Sequence, residues 1–110
     1  MLTQVSRPRV LNVTTAAVES MVGNPTLREK FPFLQHAHGQ WDRMHREFKS
    51  GCCGRKHQLF RPQRDHLVEL VKQSVAVLVP EQAQVMKSLM NVDRIIVFFT
   101  SNGQIVRKEL

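Results

Sequence analysis

Cys52 and Cys53, with His57 four residues beyond and His66 further along, are the residues whose types bring metal or nucleophilic chemistry to mind. A zinc centre needs about four ligands in tetrahedral array. This chain has only two cysteines, and they lack a paired Cys-x-x-Cys spacing. Adjacent cysteines rarely point at one metal together, so no metal site is assigned within one chain. A site shared with a neighbouring subunit stays open. The second chemistry is nucleophilic. Arg55 and Lys56 would favour a thiolate, and His57 is placed to act as a base. No oxyanion element or orienting acid accompanies them, so the expectation is no catalytic residue, no enzyme and no cofactor. His36, His38, His45, His57 and His66 do not form a ligand set by spacing. His38 and His45 share a helix flank but stand seven residues apart, too far to chelate one ion together.

Charge is the more informative pattern. Arg43, Arg46, Lys49, Arg55, Lys56, Arg61 and Arg64 fall within 22 residues that hold one acid, Glu47, a net charge of +6 out of +7 for the whole chain. Such a concentration calls for phosphate or carboxylate on a partner, because unpaired charge is too costly to bury repeatedly. These seven residues are the candidate binding surface. The pattern is no helix-turn-helix, zinc finger or RNA-recognition signature, so any nucleic-acid contact is expected to be non-specific.

With 110 residues, 42% hydrophobic and 23% charged, the composition is that of one globular domain spanning 1–110. The longest apolar runs, 75–79 and 95–99, are far too short to cross a bilayer. The opening residues lack the apolar run of a signal peptide, so a reducing compartment and no membrane partner are expected.

The elements that must carry these residues are legible from periodicity. Residues 1–13 read as an extended arm or short strand, 14–91 as helical and 94–110 as a β-hairpin. Thr14 or Thr15 caps a helix over 16–22 that Gly23 ends, and Asn24-Pro25 starts another. Pro32–Lys49 is the clearest helix, with Leu34, Ala37, Trp41, Met44 and Phe48 as one buried stripe and Asp42–Arg46 and Arg43–Glu47 as outer pairs. Gly39 weakens it and Gly51 stops it. Residues 51–63 read as a basic loop. A second long helix over 63–78 buries Val68, Val71, Val75 and Leu78, flanked by Leu67 and Leu70. A third, from Pro80 to about Met90, buries Val85, Met86 and Leu89. Asn102-Gly103 predicts a two-residue turn with Thr100 opposite Ile105, Phe99 opposite Val106 and Phe98 opposite Arg107. The first hairpin strand is apolar on both faces and is expected to be covered. A lone hairpin is marginal, so a third strand is expected from 9–13 or a neighbouring subunit. The fold class is α+β: about three main helices on a small antiparallel sheet.

Lys30-Phe31-Pro32-Phe33-Leu34 opening a helix, Gly51-Cys52-Cys53-Gly54-Arg55-Lys56 after it, and residues 90–99 leading into a terminal hairpin resemble, in layout, short proteins of tailed bacteriophages. The resemblance covers much of the chain in arrangement but no diagnostic motif. It implies a minor virion or assembly protein, in the virion or host cytoplasm, that contacts other proteins or copies of itself. The alternative is a non-specific nucleic-acid-binding or regulatory protein using 43–64. Either way metal should be dispensable: a chelator should leave the melting of the purified protein unchanged. One equivalent of bound zinc whose removal lowers stability would instead make Cys52, Cys53, His57 and His66 ligands.

Overall fold

The computed structural model describes residues 7–49 and 54–110, with the side chains of 48–49 and 54–59 not included. Gly51, the expected helix stop, and the Cys52-Cys53 pair lie outside the described residues, as do the side chains of Phe48 and His57. The element order is β1 (Val10–Asn12), α1 (Thr15–Val22), α2 (Pro25–Lys30), α3 (Pro32–Lys49), α4 (Gly54–Ala76), α5 (Pro80–Met90), β2 (Arg94–Ser101) and β3 (Gln104–Glu109). This is an α+β fold in which helices cover one face of a three-stranded sheet ordered β1-β2-β3.

Local chemistry sets most boundaries. The Thr14 hydroxyl accepts from the Ala17 N–H at 3.2 Å, and Asn24 Oδ1 accepts from Thr26 and Leu27 at 3.0 and 3.3 Å, so both short helices are capped by side chains that satisfy otherwise orphaned donors. Pro32 restarts the helix, its missing N–H costing nothing in the first turn. Asn91 ends α5 in the left-handed region at φ 57°.

Asn102 and Gly103 take φ of 51° and 76°, the double positive φ that a two-residue turn matched to strand twist requires. The hairpin register follows: Thr100 opposite Ile105, Phe99 opposite Val106, Phe98 opposite Arg107. The third strand comes from the N-terminal segment, but it pairs with β2 in parallel, so the sheet is mixed. The direction is forced because the whole helical layer lies between β1 and β2 and returns the chain to the same end of the sheet. Asp93 fixes that join: its carboxylate accepts from the Arg9 N–H at 2.8 Å, and its own N–H donates to the Arg9 carbonyl at 2.8 Å.

The core joins Val18, Met21, Val22, Leu27, Phe31, Leu34, Val68, Val71, Val75, Met86, Ile95 and Val97, with Leu11 and Phe99 packed on its margin. Four expectations need correction. First, residues 54–63 are helix and not loop, because α4 begins at Gly54 and passes through Pro62. Pro62 is exposed, and burial of Phe60 and Leu67 on either side offsets the cost of the helix bond it cannot make. Second, α4 ends at Ala76, and Leu70 is exposed. Third, α5 buries Ala83 and Met86, leaving Val85 and Leu89 exposed. It turns only a narrow stripe, continued by Met90, toward the core. Fourth, β2 is covered on one face. Ile95 and Val97 are buried under the helices, whereas Phe98, on the other face, is 49% exposed.

On that open face Arg94 grips Glu109 with two hydrogen bonds of 2.7 Å, and Arg107 adds a third at 3.2 Å. The Arg94 bond, reinforced by Arg107, holds the Glu109 carboxyl at about 2, down from its ordinary 4.5. A depressed carboxyl stabilises the fold fully above its unfolded value and loses that contribution as pH falls through its folded value. The clamp's contribution to stability should therefore be full above about pH 4.5 and fade between there and about pH 2, where the gripped carboxyl itself takes up a proton. Carboxyl NMR titration should place the Glu109 transition near the lower figure, and Arg94→Lys, which keeps charge but loses the fork, should raise it. A Glu109 transition at the ordinary value would show that the clamp does not form in solution.

Candidate functional site

The two longest helices, α3 and α4, form an antiparallel pair, and the structure gathers the basic segment at one end of it. Arg43 to Lys49 are the last turns of α3, and Gly54 to Arg64 are the first turns of α4. The C-terminal half of α4 is the part anchored on the sheet. There the Glu69 carboxylate accepts from the Thr100 N–H, and Gln73 Nε2 donates to the Thr100 carbonyl at 3.1 Å. At 1.5 Å per residue, the first ten residues of α4 carry the hairpin end about 15 Å beyond Arg64.

The pair is closed at this end by apolar packing from both helices. Met44 and Phe60 are buried. Trp41, His45 and Phe60 stack in series: Trp41 and His45 rings have centroids 6.0 Å apart, and His45 meets Phe60 edge-on at 5.1 Å. His45 Nδ1 lies 2.9 Å from the Trp41 carbonyl, which fixes the ring as a donor on that side. Trp41 is only half-buried, so it is a margin residue of the core and not its centre. The ladder went unseen in sequence because its partner Phe60 lay in an expected loop.

The candidate basic residues fall around the hairpin end. Arg43, Arg46 and Arg61 are exposed. Arg43 reaches Glu47 at 3.9 Å, one of the two outer pairs expected, whereas Asp42 faces His38 at 3.7 Å. Arg43 and Arg46 border the same shallow concavity along α3, with Gln40 and His36. Arg61 lies on α4, and Arg64, on the same helix, is half-buried and bonds Asp65 at 3.1 Å. Lys49, Arg55 and Lys56 are placed by backbone alone, in the turns of α3 and α4 that adjoin residues 50–53. Adjoining that concavity, and sharing Gln40 and Arg43 with it, a cleft of about 250 Å³ is lined also by Met44, Glu47, Gln63, His66 and Leu67. Its floor is apolar and its walls carry amides, one cation and one anion. Sequence spacing did not find it, because its two walls come from α3 and α4 and meet only through the packing of one helix on the other.

Among the described residues no three His, Cys, Asp or Glu side chains gather as a metal would require, and no helix is long and apolar enough to cross a membrane. Compared with known proteins, the chain matches no family model, no curated protein and no solved structure at a significant level.

The different burial of the two aromatics gives a test. Phe60→Ala should destabilise the protein by about 3–5 kcal/mol, the range for a buried aromatic. Trp41→Ala should cost less, since part of its surface already meets water. Denaturant unfolding of the two variants checks the order; equal losses would mean Trp41 is fully buried in solution.

Proposed function

We propose that this chain is a small, basic, non-enzymatic assembly protein whose helical hairpin end docks on an acidic partner surface. The observation that carries the reading is the placement of 43–49 and 54–64 at one end of the α3–α4 pair. That placement concentrates in space the positive charge that the sequence concentrates along the chain. Arg43, Arg46 and Arg61 are carried on packed helices, so their backbone is already ordered when they meet carboxylate or phosphate. Arg64 contributes from a half-buried position, oriented by Asp65. Lys49, Arg55 and Lys56 lie in the helix turns at the same end of the pair by their place on the backbone.

The opposite end of the molecule offers a protein-binding surface of different chemistry, an open sheet face with exposed Phe98 and Ile105. Two such ends suit a component that links unlike surfaces in a larger particle. A minor virion protein of a tailed bacteriophage, the reading that the layout resemblance implies, is one such component. The partners are then other virion proteins or copies of the chain.

Nucleic acid is the second reading, favoured by the same basic end, because positive charge spread around a helical hairpin meets phosphate without reading bases. Replacing Arg55, Lys56 and Arg61 together with Ser should leave melting nearly unchanged while weakening binding to polyglutamate and to duplex DNA, with a shallower salt dependence for what remains. Loss of DNA binding alone would favour the second reading. A triple variant that unfolds would make the charges structural, and one that binds both polymers as before would reduce the basic end to a solubilising surface.

A further inference from the structure

The two edges of the sheet are treated differently. Past the short β1, the exposed flank of β2 is closed by side chains: Glu69 and Gln73 of α4 bond the Thr100 N–H and C=O. The outer flank of β3 has no such cover. Thr100 directs its backbone groups toward α4, so the facing pair Thr100–Ile105 is of the non-hydrogen-bonded kind. The bond from the Leu110 N–H to the Ile95 carbonyl agrees with that phase. It follows that Ile105, Arg107 and Glu109 point their N–H and C=O groups outward. Among the described residues none of these groups is bonded, and all six residues of β3 are exposed. An uncovered edge of this kind is a template for another strand.

We propose that the occupant is β3 of a second copy, paired antiparallel about a two-fold axis at Val106. The strand's own charges select that register. Both sheets must keep their faces aligned, so the axis must pass through a residue. At Arg107 it sets two arginines opposite each other, and at Lys108 two lysines, both destabilising. At Ile105 it pairs only three strand residues. At Val106 it pairs 104–108 with no like charges opposed. Ile105 then faces Arg107 of the second copy, and each such pair exchanges both backbone hydrogen bonds.

Val106 meets its own counterpart on the helix-side face, the close, non-hydrogen-bonded position. Ile105, 78% exposed in the single chain, becomes covered by the arginine's aliphatic stem. Each Arg107 already has Glu109 at 3.2 Å, which tempers repulsion across the axis. The result is a continuous six-stranded sheet whose two basic hairpin ends remain free. The pairing extends the assembly reading, and its place in an assembly rests on that reading, but its geometry does not involve the basic end.

Sedimentation of the full chain over a wide concentration range should show a reversible monomer–dimer equilibrium. Ile105→Lys, which sets lysine against Arg107 twice per dimer, should weaken it about tenfold. Ile105→Glu, which sets opposite charges together, should leave it as tight or tighter. With Cys52 and Cys53 replaced by Ser, Val106→Cys should form an intermolecular disulfide on mild oxidation much faster than Lys108→Cys. Far-UV circular dichroism confirms folding of each variant. A chain that stays monomeric throughout overturns the proposal, as does a dimer that ignores Ile105→Lys. A dimer weakened equally by both Ile105 variants is apolar face docking instead. Crosslinking at 108 as fast as at 106 overturns the register. The Arg55, Lys56 and Arg61 triple variant should dimerise normally, which separates failure of this pairing from failure of the acidic-partner reading.

Discussion

Everything in the fold depends on one apolar stripe along α4. Phe60, Leu67, Val68, Val71 and Val75 are buried at helical spacing, broad enough to serve two neighbours at once. The N-terminal part of the stripe meets α3 through Met44 and the Trp41–His45–Phe60 stack, and the C-terminal part lies over the sheet beside Ile95 and Val97. One helix of 23 residues therefore ties the basic hairpin end to the sheet. The polar residues on its flank have a matching role, since Glu69 and Gln73 complete the bonding of β2 where no strand follows.

This division gives the molecule two ends with different physics. Charge at the hairpin end acts over about a Debye length and is weakened by salt. The sheet end acts by short-range backbone bonding and apolar contact, which salt affects little. Partner attraction and copy-to-copy pairing can then be tuned separately, because the basic segment lies on α3 and α4 and the pairing edge on β3.

Much of this was legible in the residues. Thr14, Asn24-Pro25, Pro32 and Pro80 marked helix starts through their cap and φ chemistry, and Asn102-Gly103 fixed the hairpin register through positive φ. These are local effects, decided within a few residues. What escaped was decided at a distance. Pro62, with Gly51 and Gly54 nearby, reads locally as loop, yet packing of Phe60 against His45 carries the helix through it. The parallel direction of β1 depends on the path of the whole helical layer, and the exposure of Val85, Leu89 and Phe98 depends on which neighbours exist to cover them. Of the candidate site, the charge concentration was plain in sequence. Its spatial reason was not, because residues 54–63 of the expected basic loop proved to be the first turns of α4, beside the end of α3.

The central claim is that the hairpin end of α3 and α4 is the surface that meets an acidic partner. Amide chemical-shift mapping during titration with polyglutamate tests it most directly, at one salt concentration and residue by residue. The account predicts shifts confined to residues 43–64, saturating together and reversed by added salt, with β2 and β3 unmoved. Shifts centred on the sheet, or none where binding is measured by other means, would contradict it.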